Sequence, residues 1–109
     1  MHCYPVENRQ EMLRITVEDR GDAVHILLEG RLVGVWVTEL ELSWRRCSAE
    51  YPQMTQVVDL SGTEFVDLAG RYLLTLMHQN GVQLIARSPW MNDLVAEIER
   101  AGAGKRSIA

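Results

Sequence analysis

The sequence predicts an α/β domain in which three helices pack on a mixed β-sheet, with the element order β-β-α-β-α-β-α. Two N-terminal segments alternate apolar and polar residues, and two later runs are short and almost continuously apolar. Alternation is typical of a half-buried strand, whereas a continuous apolar run is typical of a strand buried on both faces of a parallel sheet. A hairpin followed by βα units therefore indicates a mixed sheet with right-handed crossovers.

The predicted strands span residues 13–18, 24–29, 56–60 and 82–86. Residues 19–22, Asp-Arg-Gly-Asp, connect the first two strands and are rich in turn-forming residues. Since so short a connection joins only antiparallel neighbours, these two strands form a hairpin. The pattern changes after Gly30-Arg31, and residues 61–66 are expected to form a loop.

The predicted helices span residues 33–49, 68–80 and 89–101. Asp67 and Ser88 precede the second and third helices, where a side-chain oxygen can accept the free N–H groups of the first turn. Gly81 is expected in the left-handed position that ends the second helix, and Gly102 is expected to stop the third. The second helix is expected to bury the face that carries Ala69, Leu73, Leu76 and Met77.

The three tryptophans are aromatic side chains that could lie in the core or at an interface. Trp36 and Trp44 are eight residues apart on one helical stripe, so both are expected to pack in the core. Trp90 lies in the first turn of the third helix, and we expect it in the core as well. An exposed anchor for a partner is the alternative for Trp90, because aromatic residues are enriched at interfaces.

A chain of 109 residues fits one domain. We expect residues 1–11 to be a flexible tail, residues 12–102 to form the domain, and residues 103–109 to be a tail or a vestigial final strand. Cys3 and Cys47 are isolated, so they make neither a disulfide framework nor a zinc motif. Residues 1–11 lack the apolar segment of a signal peptide, and a cytoplasmic location is expected.

The composition excludes several classes of function. A net charge of −4 argues against nucleic-acid binding, which requires clustered basic residues. Residues 102–107, Gly-Ala-Gly-Lys-Arg-Ser, lack the spacing of a phosphate-binding loop. His2, His25 and His78 have no neighbours at metal-ligand spacing. We expect neither catalytic activity nor a metal or cofactor, and Asp67 is interpreted as a helix cap rather than a catalytic acid.

One segment, residues 57–70 with the sequence Val-Val-Asp-Leu-Ser-Gly-Thr-Glu-Phe-Val-Asp-Leu-Ala-Gly, carries a more specific signal. It resembles the signature of the STAS family, the anti-sigma-factor antagonists, in which a buried strand ends in Asp-Leu-Ser-Gly and a loop leads to Asp-Ser-Ser-Gly or Asp-Ser-Ala-Gly at the start of a helix. The resemblance extends over residues 12–101 and includes residues 29–32, Glu-Gly-Arg-Leu. Family members usually add a final strand and helix, which would be missing or vestigial here.

The resemblance implies a cytoplasmic signalling protein that regulates transcription by binding a protein partner. Family antagonists dock on an anti-sigma factor with a kinase-like fold, and phosphorylation of the serine before the glycine of Asp-x-x-Gly switches them off. That position is Ala69 here, so no phosphorylation is expected there, and we do not expect Ser61 or Thr63 to replace it. The partner-binding residues that the resemblance implies are Gly30, Arg31, Ser61, Gly62, Asp67, Leu68, Ala69, Gly70 and Arg71.

Two other functions stay open from the same resemblance. The chain could be the small cytoplasmic STAS subunit of an ABC-type lipid transport complex, in which case its partner would be a transporter subunit. It could also be a domain that senses a nucleotide or another small molecule. The sequence gives no oligomeric state.

Overall fold

A computed structural model describes the backbone of residues 12–108 and the side chains of residues 12–101. Its elements follow one another in the predicted order. They are β1 (Leu13–Asp19), β2 (Ala23–Leu32), α1 (Val35–Glu50), β3 (Thr55–Val66), α2 (Leu68–Gln79), β4 (Gln83–Ile85) and α3 (Pro89–Ile108). The predicted fold class is confirmed. The predicted tail of residues 1–11 lies outside the described residues.

The four strands form one sheet in the order β1-β2-β3-β4. The first two pair antiparallel, as a hairpin must, and the other two pairs are parallel. Each βα unit adds its strand on the same side of the previous one, so right-handed crossovers bring α1 and α2 to the same face of the sheet. Parallel pairing also brings the carboxyl ends of β2 and β3 together at one edge.

A single apolar core lies between the sheet and the helices. Alternate residues of β2 point into it, and α2 contributes residues at helical spacing. Its fully buried side chains include Val24, Ile26, Leu28, Leu32, Leu40, Val58, Leu60, Leu74, Met77 and Met91. Trp36 and Trp44 pack against this core while partly buried, as predicted.

Strands β2 and β3 are longer than predicted, and the expected loop at residues 61–66 is wrong. β3 continues to Val66, and β2 continues through Gly30-Arg31 to Leu32. The register shifts between Leu27 and Glu29 and again between Gly30 and Arg31. Such irregularities disrupt the simple alternation along a strand while pairing continues. The break in the sequence pattern therefore marks a bulge rather than the end of a strand.

The helix ends agree with the predictions at Ser88 and Gly81 and disagree with the predicted stop at Gly102. The Ser88 hydroxyl accepts a hydrogen bond from the Met91 N–H at 3.3 Å, and Gly81 adopts a φ of 94° after α2, as expected. The third helix, however, does not stop at Gly102 but continues to Ile108. A glycine inside a helix costs only about 1 kcal/mol relative to alanine, which its helix-forming neighbours can offset.

The buried face of α2 is also shifted from the one predicted. Gly70, Leu73, Leu74 and Met77 are buried, whereas Ala69 and Leu76 are exposed. The buried set follows the spacing i, i+3, i+4, i+7, so it forms one helical stripe. Gly70 allows this stripe to approach the strand ends closely, and Ala69 is turned toward solvent as a consequence.

Among residues 12–108, none of the helices has the length and hydrophobicity that a membrane span requires.

Candidate partner-docking surface

The predicted partner-binding residues gather where β2 and β3 end and α2 begins. Strand pairing sets Gly30 opposite Thr63 and Arg31 opposite Phe65, so the end of β2 lies beside the last residues of β3. Ser61 and Gly62 lie in the same stretch of β3, and residues 67–71 follow it directly. The carboxyl edge of a parallel sheet, where helices start, is the usual location of binding sites in such folds.

Asp67 fixes the geometry of this edge. Its Oδ1 accepts a hydrogen bond from the Gly70 N–H at 2.8 Å, which confirms its role as the cap of α2. Its Oδ2 accepts a second hydrogen bond, at 3.0 Å, from the N–H of Gly34, the residue before α1. The Asp67 N–H itself donates to the carbonyl oxygen of Leu32 at 3.1 Å. One residue therefore joins the end of β2 to the first turns of both α1 and α2.

Gly70 lies beneath the surface and shapes it. It is buried, and a Cβ atom added there would lie 2.8 Å from Val66 Cγ1 and 3.0 Å from the carbonyl oxygen of Leu32. Contacts this short require the neighbouring atoms to move. The absence of a side chain at Gly70 thus sets how closely the start of α2 approaches the strand ends.

Gly30 is likewise required by the packing of the strands, and Gly62 lies in close contact with Glu29. Gly30 has a φ of +115°, and a Cβ there would collide with the Met12 backbone. A Cβ at Gly62 would lie 2.9 Å from Glu29 Cγ. A positive φ such as that of Gly30 strongly favours glycine. These two glycines therefore shape the bulged strand ends that hold the surface.

The first turn of α2 presents its apolar side chains to solvent. Leu68 is 67% exposed, Ala69 is also exposed, and Tyr72, one turn further on, is 71% exposed. Arg71 lies on the exposed surface and forms an ion pair with Glu97 of α3. The pair joins α2 to α3 beside these apolar groups.

Two further aromatic residues extend the apolar area beyond α2. Trp90 of α3 is 45% exposed, so the expected core position is wrong and the alternative, an exposed aromatic, is what the structure has. Phe65 is 41% exposed and lies with Trp90 along a shallow cavity of about 280 Å³, which Arg71 also lines. We call Phe65, Leu68, Tyr72 and Trp90 together the α2 surface.

Arg31 adds a positive charge at the margin of the α2 surface. Its guanidinium carbon lies 4.8 Å from the centre of the Phe65 ring, within the range of a cation–π contact. The guanidinium therefore packs against the Phe65 ring. Arg31 therefore lies where the resemblance placed it, but its described contact is with an aromatic ring of the same chain.

Sequence reasoning missed Phe65 and Tyr72. For Tyr72 the available signal was its spacing, since Leu68 and Tyr72 are four residues apart and lie outside the stripe that contains Leu73, Leu74 and Met77. For Phe65 the signal was hidden, because the predicted loop at residues 61–66 leaves the direction of its side chain undefined. Once β3 is known to continue to Val66, Phe65 and Val66 point to opposite faces.

The two hydroxyl residues near the docking surface lie in different environments. Thr63 is only 5% exposed, and its Oγ1 donates a hydrogen bond to the Leu28 carbonyl oxygen at 3.2 Å. Ser61 is exposed, and its backbone N–H donates to Asp59 Oδ1 at 2.9 Å. A modifying enzyme could therefore reach Ser61 in the folded protein, whereas Thr63 is closed to it.

Candidate metal-ligating groups are scattered in the part of the chain whose side chains are described. No three of its histidine, cysteine and carboxylate residues come together as a metal site would require. His25 lies in β2 and His78 in the last turn of α2. His2 and Cys3 lie outside the described residues. Cys47 is buried in α1, and burial, followed by the charge of Glu50, raises the pKa of its thiol, although Arg46 acts in the opposite direction.

Comparison with solved structures shows which known proteins share this fold. The chain superposes on the crystal structure of an anti-sigma factor antagonist from Mycobacterium paratuberculosis with a TM-score of 0.70 and 24% identity, over 88% of this chain and 83% of that one. The chain has the fold of an anti-sigma-factor antagonist. The fold that the STAS resemblance implied is therefore confirmed.

Other solved structures share the same fold at lower similarity. An uncharacterized protein of the DUF3478 family from Shewanella loihica PV-4, described as having a SpoIIAA-like fold, gives a TM-score of 0.51 at 16% identity, over 72% of this chain and 71% of that one. The structure of Mglu gives 0.53 at 22% identity, over 68% of this chain but only 19% of that one. No protein-family model and no curated protein matches the sequence.

Proposed function

We propose that this chain is a non-enzymatic protein-interaction module that acts as an anti-sigma-factor antagonist does, and that its partner docks on the α2 surface. The observation that carries the proposal is the exposure of four large apolar side chains around the first turn of α2, at a place where the backbone is firmly held. Exposed apolar groups that cluster on a rigid element are typical of interfaces.

The charged residues around the α2 surface lie where the polar rim of a protein–protein interface would be. Arg71 and Glu97 are exposed and neutralise one another, and Arg31 stacks on Phe65. Interfaces commonly have an apolar and aromatic centre surrounded by charged residues that stay accessible to water. The partner we propose, an anti-sigma factor with a kinase-like fold, would bury Leu68 and Tyr72 and leave the ion pair at the edge.

We further propose that this surface has no phosphorylation switch. Ala69 occupies the exposed position in the first turn of α2 where the family pattern has serine, and it has no hydroxyl group to accept a phosphate. Thr63 is buried and hydrogen-bonded, which argues against it as a substitute. Regulation would then depend on the partner or on the abundance of this chain.

The proposal is tested with a purified anti-sigma factor encoded in the same genome. Hydrogen–deuterium exchange of the chain, with and without this candidate, should show protection at residues 65–72 and at the start of α3 when the two bind. Protection confined to another part of the chain would refute the α2 surface as the docking site. If this chain binds transporter subunits encoded in the same genome and does not bind the anti-sigma factors, the transport-complex alternative is the correct one.

A further inference from the structure

The outer edge of β1 is a second exposed feature, apart from the α2 surface. β1 is an end strand, and within the described residues its sheet neighbour is β2 alone. Val17 is 43% exposed, and Arg14, Thr16 and Glu18 are exposed on the opposite face. A seven-residue strand with a free edge offers backbone donors and acceptors that another strand can pair with.

The sequence of β1 is complementary to itself when two copies run antiparallel. With Thr16 on a twofold axis, Arg14 lies opposite Glu18 of the second copy, and Glu18 lies opposite Arg14. Ile15 then lies opposite Val17 on the core-facing side of the sheet. Paired residues in an antiparallel ladder share a face, so oppositely charged and apolar pairs both stabilise this register.

The neighbouring registers are less favourable. Moving the axis to Val17 sets Arg14 opposite Arg20 of the second copy, which joins like charges. Moving the axis to Ile15 sets Arg14 opposite Thr16 and leaves Glu18 opposite Met12. The two Arg14–Glu18 pairs thus favour the register centred on Thr16, in which Leu13 at the end of the ladder lies opposite Asp19.

We propose that two copies of this chain associate through antiparallel pairing of their β1 strands, with Thr16 on the twofold axis, to form a continuous eight-stranded sheet. Such an interface is isologous, since the same residues contribute from both copies. It lies on the end strand of the sheet, apart from α2, and does not depend on the proposed function. Within each chain Arg14 lies 3.9 Å from Glu29, and Glu18 accepts hydrogen bonds from Arg20 at 2.6 and 3.0 Å, so the Arg14–Glu18 pairs between copies form in addition to these exposed contacts or in exchange for them.

Charge exchange between two variants tests the pairing. Arg14→Glu and Glu18→Arg should each abolish self-association, because both place like charges opposite one another. A mixture of the two variants should form a heterodimer, since every pair then becomes complementary. Sedimentation equilibrium measures all three samples, and circular dichroism confirms that each variant is folded. The native chain should dimerise reversibly, and more weakly at high salt because exposed charges are screened.

Disulfide trapping tests the register. In a Cys3→Ser background, Thr16→Cys should crosslink under mild oxidation, because opposite residues in an antiparallel ladder have Cα atoms about 4.5–5.5 Å apart, within the reach of a disulfide. Arg14→Cys is the matched control, since its counterpart would lie about 14 Å away along the strand. A native chain that stays monomeric up to about 1 mM would overturn the proposal, as would variants that fail to form a heterodimer or equal crosslinking at both positions.

Discussion

The Oδ2 atom of Asp67 accepts a hydrogen bond from the backbone N–H of Gly34 at 3.0 Å, across 33 residues of sequence. The other carboxylate oxygen caps α2 at Gly70. A cap that serves only its own helix stabilises one element. Asp67 in addition fixes the position of α1 relative to α2, so the docking surface depends on it although it need not contact the partner.

Replacing Asp67 should therefore cost more than the loss of one cap. We expect Asp67→Ala to lower the free energy of unfolding by about 1–3 kcal/mol, because two backbone N–H groups lose their acceptor. Asp67→Asn keeps one acceptor oxygen and should cost less. Urea denaturation measures both, with Asp22→Ala in the exposed β1–β2 turn as the control. Equal stability of Asp67→Ala and Asp22→Ala would show that the bridge contributes nothing.

Gly70→Ala should destabilise the protein, in contrast to the usual effect of this substitution in a helix. An exposed helical glycine gains up to about 1 kcal/mol on becoming alanine. At Gly70 the new methyl group would lie within 3.0 Å of Val66 and of the Leu32 carbonyl oxygen, and we expect a loss of about 1–3 kcal/mol. Thermal unfolding gives the sign directly. A variant more stable than the native chain would contradict the close approach of α2 to the strand ends.

Glutamate substitutions at Thr63 and at Ser61 should have very different effects on the free energy of unfolding. Thr63→Glu places a charge in the core and removes the hydrogen bond to Leu28, so a loss of about 3 kcal/mol or more is expected. Ser61→Glu should change the free energy of unfolding by less than about 1 kcal/mol, because its side chain is exposed. Chemical denaturation compares the two variants. A well-folded Thr63→Glu variant would reopen Thr63 as a phosphorylation site.

The Cys47 thiol should react slowly in the folded protein. Burial raises the pKa of the thiol, so the reactive thiolate is scarce as well as inaccessible. In a Cys3→Ser background, alkylation by iodoacetamide should be at least about tenfold slower in buffer than in denaturant. Since the pKa of the folded thiol is above that of the unfolded one, its contribution to stability is fully present below the unfolded pKa and is lost as the pH rises from there through the folded pKa. Equal rates in both states would contradict its burial.

The sequence predicted the element order and both side-chain caps because these depend on local patterns. It did not reveal that β3 continues to Val66, since the bulges that disturb alternation arise from pairing with β2. The second bond of Asp67 and the exposure of Trp90 depend on how distant elements pack, which no local pattern records. The burial of Gly70 and Leu74 in place of Ala69 and Leu76 has the same origin, because it requires knowing that Gly70 lies against Val66 and Leu32.

The variant Ala69→Glu tests the central claim that a partner docks on the α2 surface. Its carboxylate lies near the positive end of the α2 dipole and can remain in solvent, so the free energy of unfolding should stay within about 1 kcal/mol of the native value. Ala69→Ser and Ala101→Glu are the controls, the first conservative and the second an exposed position further along α3.

The decisive measurement is the affinity of these three variants for the anti-sigma factor that binds the native chain, by titration calorimetry. Ala69→Glu should weaken binding by at least about tenfold, or ~1.4 kcal/mol, because a charge pressed into an apolar contact loses its hydration. The two controls should bind as the native chain does. Native affinity for a folded Ala69→Glu variant would contradict docking on the α2 surface.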